Sequence, residues 1–285
     1  MQGTIAQLLC LVAYGNSFLA GRPLQEFFPQ HGTFRHCEFI HFATLEERDG
    51  QWLESPYADN PWRWLEALKK AGVVALKAIH VPRHENGLAD RLSAGSVGGG
   101  GRWLLECVMP AGSDLWEARW EPGARDAAGQ CLWQVTYGRV AQGIAMPAQA
   151  LPGLPELHRD LALALADLRD FADAQGQPEF GACFDRALRA LAGASNGATR
   201  IAPPDWLAPA AEQLLQACQR AWVFGGTDSW NDVAFDDAPT QQRYAALSDQ
   251  LFALLNTSLV AATNSHLPAD DAPAAPPPRP WWKLW

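Results

Sequence analysis

Residues 102–140 read "RWLLECVMPAGSDLWEARWEPGARDAAGQCLWQVTYGRV", and the two-residue rhythm inside that stretch decides the fold class. Trp103, Leu105, Cys107 and Met109 fall on one side of a first strand. Trp116, Ala118 and Trp120 fall on one side of a second, and Trp133, Val135 and Tyr137 on one side of a third. Glu106, Glu117, Arg119, Gln134 and Thr136 take the opposite side. Alternation with one apolar and one polar face is the signature of an antiparallel sheet with one covered side. The connections "PAGS" and "PGARDAAGQ" suit hairpins, so the three strands form a meander.

Upstream, "FRHCEFIHFAT" alternates and is rich in aromatics, predicting a further strand. "QLLCLVAY" is an apolar run that fits a strand or a buried helix equally. A helix is expected from Pro61, with Asn60 as its cap, Lys69 and Lys70 in its last turn and Gly72 as its stop. "VVALKAIHV" then reads as a strand. After "AMPAQALPGLP" the period changes to 3.6, with Leu157, Leu161, Leu165, Leu168 and Phe171 on one stripe. Three more helical segments follow, "PEFGACFDRALRALAG", "PPDWLAPAAEQLLQACQRAWVFGG" and "TQQRYAALSDQLFALLNTSLVAATNS". The expected class is therefore α+β: an N-terminal mixed, largely antiparallel sheet with one or two helices, then a mostly antiparallel array of about four helices. Residues 1–150 form the sheet domain, 151–266 the helical domain, and 267–285 a proline-rich linker with a tryptophan-rich tail.

The formal charge of −9 is uneven. Acidic and basic residues number 15 and 13 over residues 1–150 but 14 and 7 over 151–267. An acidic surface repels phosphate backbones, which argues against nucleic-acid partners. No run reaches the ~18 consecutive apolar residues of a spanning helix, and "MQGTIAQLLCLVAYGNSFLAGRP" lacks the basic start and small-residue cleavage site of a secretory signal. Six cysteines without a C-x-x-C pair read as buried reduced thiols, so a soluble cytoplasmic protein is expected.

Four places invite chemistry. "YGNSFLAG" (14–21) follows the first apolar run and resembles the first block of the SGNH hydrolases, in which a Gly-Asp/Asn-Ser turn follows a strand. That resemblance implies Ser17 as a nucleophile. The chain departs from the family pattern elsewhere: "SWND" (229–232) has Ser229 where the family has glycine, and His266 lacks an aspartate three residues before it. His36, Cys37, His41, His80, His84 and Glu85 are the metal and acid–base candidates. Cys37 and His41 share a strand face but sit ~13 Å apart at ~3.3 Å per residue. Pro82 interrupts His80 and His84, so no helical ligand pair forms. The expectation is no metal and no cofactor, with His84 and Glu85 left as loop acid–base candidates. "SAGSVGGGGR" lacks the Gly-Lys-Ser/Thr ending of a phosphate loop and reads as a mobile loop or lid. "FGGTDSWNDVAFDD" lacks the calcium-loop glycine, but offers Trp230 and Asn231 as a recognition surface in an acidic loop.

The stretch "PPPRPWWKLW" (276–285) stands apart from the rest. A tryptophan carries 150–250 Å² of surface, so three of them, with a leucine, anchor strongly when docked and aggregate when free. The 13 residues before them span ~40 Å in polyproline geometry. Trp281, Trp282, Leu284 and Trp285 are expected to dock on the chain's own aromatic sheet face, reciprocally in a homodimer, or on a protein partner. With Arg279 and Lys283 they also suit a membrane surface, though the segment is short. Trp103, Trp116, Trp120 and Trp133 are the corresponding sheet residues, as a ligand groove or as core. The reading is a binding or assembly protein (adaptor, inhibitor or accessory subunit) rather than an enzyme. The alternative is a small-molecule hydrolase using Ser17 or the His84 and Glu85 loop.

Overall fold

The alternation in 102–140 becomes a meander of β4 (Arg102–Met109), β5 (Gly112–Arg125) and β6 (Cys131–Ile144). Leu105 lies opposite Trp116, Ala118 opposite Tyr137 and Trp120 opposite Val135. The same-face residues of the sequence are thus cross-strand neighbours. The computed structural model describes residues 1–48, 51–83, 89–96, 98–125, 130–194 and 200–266. Its sheet has six strands in the order β2-β1-β6-β5-β4-β3, adding β1 (Cys37–Arg48), β2 (Gln51–Ala58) and β3 (Ala75–Val81). β1 pairs antiparallel with β2 and parallel with β6, where Ile40 meets Val135 and Phe42 meets Tyr137. The sheet is therefore mixed and largely antiparallel. Seven helices complete the described residues, making the chain α+β.

Contacts divide the described chain into two units. One holds Gln7–Ile79 and Trp103–Ala150; the other joins Met1–Ala6 and His80–Arg102 to Leu151–His266.

In the sheet unit, the ambiguous run 7–14 is part of helix α1 (Gly3–Leu19). Leu8 through Tyr14 are each at most 3 % exposed. A helix that is apolar all round has no face to give its period away, which is why this sequence also reads as a strand. α2 (Pro61–Lys70) has the expected ends: Asn60 accepts from the Arg63 amide at 3.0 Å, and Gly72 takes a φ of 83° beyond the last turn. Trp64 of α2 stacks on Phe42 at 4.4 Å and meets Trp116 edge-on at 5.9 Å. The Tyr137 hydroxyl donates to Gln7 of α1 at 3.1 Å. Helices of the same unit thus pack on the aromatic face of the sheet.

β2 lies at the sheet edge and escaped the sequence reading. "QWLESPYA" does not alternate and contains Pro56, which an edge strand tolerates because one side of its backbone needs no ladder bond.

In the helical unit, α4 (Leu154–Ala174) buries Leu157, Leu161, Leu165, Leu168 and Phe171. Three residues, Gln175–Gln177, connect it to α5 (Pro178–Leu191), a link short enough to fold the two helices back on each other. α6 (Pro209–Ala221) starts later than the sequence suggested, after Pro203, Pro204 and the positive φ of Asp205. α7 (Ala238–Asn264) packs on α4 and α6, closing a four-helix ring, and the short α3 (Asp90–Ser93) lies against it. By length and composition α7 could cross a membrane. In the fold it is a bundle helix, with Tyr244, Leu251, Leu255 and Leu259 buried.

Candidate functional site

The Gly15-Asn16-Ser17 stretch is built into α1, not into a turn that leaves a strand. Asn16 donates its side-chain amide to the Leu76 carbonyl and accepts from the Leu76 amide, both at 2.8 Å. One side chain thereby supplies edge strand β3 with the two bonds a neighbouring strand would make. Gly15 explains how the helix comes so close: a Cβ there would collide with the Leu76 side chain. The letters shared with hydrolases thus serve helix–strand docking here. Ser17 is 1 % exposed, too deep in the fold to present a nucleophile on a turn as the resemblance implies. Asn231 and His266, the other partners of that pattern, are held elsewhere. Asn231 bonds Arg91 twice, and His266 stacks on Trp206 at 4.8 Å while its Nδ1 meets the Thr263 carbonyl at 2.9 Å. Burial pulls the His266 imidazole down to about 4.

His84 and Glu85 lie outside the described residues. His80, at the end of β3, places Nε2 3.0 Å from the Gly100 carbonyl, and burial lowers its pKa. The glycine run is packed, which removes the described part from a mobile-lid reading. The Gly100 amide donates to Ser93 Oγ at 3.0 Å, and the Gly99 amide to the Ser96 carbonyl at 3.0 Å. A Cβ on Gly99 would overlap the Ser93 carbonyl oxygen. Glycine is needed at position 99 for close approach, and at positions 100 and 101 for φ values of 80° and 94°. His36 and His41 are exposed, and His41 stacks on Phe39 at 4.1 Å. Among the described residues no three metal-ligating side chains converge.

Trp230, expected as a recognition surface, is fully buried. Phe171, Phe180, Phe184 and Tyr244 surround its ring at 5.0–6.5 Å, and its indole donates to Ser248 at 2.8 Å. It plugs the bundle because a large apolar ring with a satisfied N–H is better placed inside than in water. Beside it, the Arg91 guanidinium is 6 % exposed, bonds Asp249 at 2.6 Å and Asn231 at 3.1 Å, and lies 5.5 Å from the Tyr244 ring. Two of the acidic loop residues, Asp232 and Asp237, serve as caps. Asp237 accepts from the Thr240 amide at 3.0 Å, a bond that holds its carboxyl below the usual range, and Asp232 accepts from the Ser229 amide at 2.8 Å.

Of the sheet tryptophans, Trp116 is fully buried and belongs to the core, out of reach of a ligand. Trp103, Trp120 and Trp133 are half-buried, and Trp120 meets Trp133 edge-on at 6.1 Å. Trp281, Trp282, Leu284 and Trp285 lie outside the described residues.

One polar cluster had no sequence signal, since its members are scattered over 130 positions. His31 Nδ1 accepts from the Thr33 amide at 3.3 Å and sits 3.0 Å from the Thr33 hydroxyl and 3.4 Å from the Cys10 thiol. Gln7 donates to the Thr33 carbonyl at 3.2 Å and to Cys37 at 3.3 Å, and accepts from Tyr137. Burial pushes the thiols of Cys10 and Cys37 and the Tyr137 phenol upward, so all three stay protonated at neutral pH. Inert thiols beside a hydrogen-bonded imidazole are a structural network, not a nucleophile.

What this geometry defines is an α+β protein in which the candidate catalytic residues within the described region are separated or buried. Compared with known proteins, the chain matches no family model, no curated protein and no solved structure.

Proposed function

We propose that this protein acts by binding and assembly, as an adaptor, inhibitor or accessory subunit, with Trp281, Trp282, Leu284 and Trp285 as its docking element. The observation that carries the reading is the sequence 276–285 itself, three tryptophans and a leucine behind a proline run. The packing of α1 and α2 on the aromatic sheet face supports an acceptor other than the centre of that face, which favours a second copy or a protein partner.

The test compares the full chain with a chain ending at Ala275, by light scattering and thermal melting. The expected result is a lower assembly mass, or loss of a defined partner, with a melting temperature within about 2 °C of the full chain. Unchanged mass and binding would remove the proposal. Precipitation, or a melt lower by ten degrees or so, would make the segment part of the protein's own core instead.

A further inference from the structure

We infer that a second copy of this chain docks the outer face of its α4 in a basic groove between the end of α1 and α2. The groove is lined by Phe18 of α1 and by Arg63, Glu66, Lys69 and Lys70 of α2. Arg63 is paired with Glu66 at 3.1 Å. Lys69 places Nζ 5.1 Å from the centre of the Phe18 ring, so an ammonium flanks the half-buried aromatic surface. Lys69 and Lys70 are exposed, and neither has a carboxylate partner among the described residues. Their place in the last turn suits the helix dipole, which favours them there without covering them. Lysine occurs four times in this chain of net charge −9, so two uncompensated lysines beside a ring are not a sample of a generally basic surface.

A complement to that groove lies on α4. Leu163 is 62 % exposed, the most exposed large apolar side chain among the described residues. Helical spacing puts Glu156, Arg159, Asp160, Asp167 and Asp170 on the same face. Arg159 engages Asp160 at 3.0 Å, and Arg169 engages Asp170 at 2.8 Å. Glu156 and Asp167 are exposed and have no cationic partner among the described residues. An apolar knob flanked by two uncompensated carboxylates thus matches a ring flanked by two uncompensated ammonium groups. The segment 276–285 is the poorer occupant, because it carries Arg279 and Lys283 and no acidic side chain.

The groove and the α4 face are different patches, and each copy carries both, so the contact is heterologous. Exposed charge pairs are individually weak and are screened by salt. The association is therefore concentration-dependent and lost at high ionic strength. It uses no residue of the tryptophan-rich segment and does not depend on that segment being a docking element.

Sedimentation velocity on the full chain, from about 20 mM to about 0.5 M salt, tests this. The expected result is an average mass that rises with protein concentration at low salt and falls back toward the monomer at high salt. Lys69→Glu with Lys70→Glu is expected to weaken the association about tenfold or more, and Glu156→Lys with Asp167→Lys to do the same. Mixing the two doubly substituted chains restores it, because the acidic groove of one meets the basic face of the other and the unaltered surfaces still match. Leu163→Ser, which changes no charge, also weakens it. All five side chains are exposed, so these variants are expected to melt with the natural chain. A monomer at every concentration in low salt, or a mixture no more associated than either variant alone, would overturn the inference. So would association that survives both charge variants and high salt, which would point to residues 281–285 instead.

Discussion

Asn16 shows what one polar side chain does in an apolar helix. It closes both backbone groups of Leu76 at 2.8 Å, on a strand that is outermost in the sheet of the described residues. Its replacement by alanine leaves a buried N–H and a buried C=O without partners, at about 1–3 kcal/mol for each such group. Asn16→Ala is expected to lower stability by about 2–4 kcal/mol in denaturant melts. Asn16→Asp keeps the bond to the Leu76 amide but turns an acceptor toward the carbonyl, so it is expected to destabilise as well. Both variants are compared with Ser17→Ala, a change of one buried hydroxyl a single position away. If Asn16→Ala cost no more than Ser17→Ala, the strand-mimic role would be wrong.

Elements whose ends carry their own chemistry were readable before the fold was known, and elements defined by their surroundings were not. α2 announces itself through Asn60, Pro61 and Gly72, and each of these acts as its residue type predicts. β4 has the bounds suggested by its alternation. α1 could not be separated from a strand because its neighbours bury it on every side. β2 carried no period because an edge strand is not obliged to alternate. The candidate site fared less well. Trp230 drew attention as an aromatic in a polar loop, but sequence does not tell a buried plug from an exposed contact, and four aromatic rings from three helices close around it. The His31 cluster depends on α1, a turn and two strands meeting, which local spacing does not encode. At this scale Arg91 is the test of how α3 is held on α7. Arg91→Met keeps much of the stem but removes the bonds to Asp249 and Asn231. Asp249 is half exposed, so water offsets part of the loss, and about 1–3 kcal/mol is expected by thermal melt. An unchanged melting temperature would show that the guanidinium bonds do not hold the element.

At the scale of the whole molecule, the helical unit is not one continuous stretch of chain. Leu151–His266 is completed by Met1–Ala6 and His80–Arg102, the latter bringing Arg91 and the packed glycines. A fragment of residues 151–266 is therefore expected to be helical by far-UV circular dichroism but weak in near-UV signal, and to gain stability when a peptide of residues 80–102 is added. A fragment that melts as sharply as the full chain, with no response to the peptide, would contradict this. The parallel pairing of β1 with β6 has a related effect in time. Cys37 lies opposite Trp133, so the first long strand waits for a partner roughly a hundred residues downstream. At ~5–20 residues per second, a ribosome leaves that side of β1 open for about 5–20 s before β6 has been made. During synthesis the interval between those two strands is a period in which this chain needs shelter from aggregation.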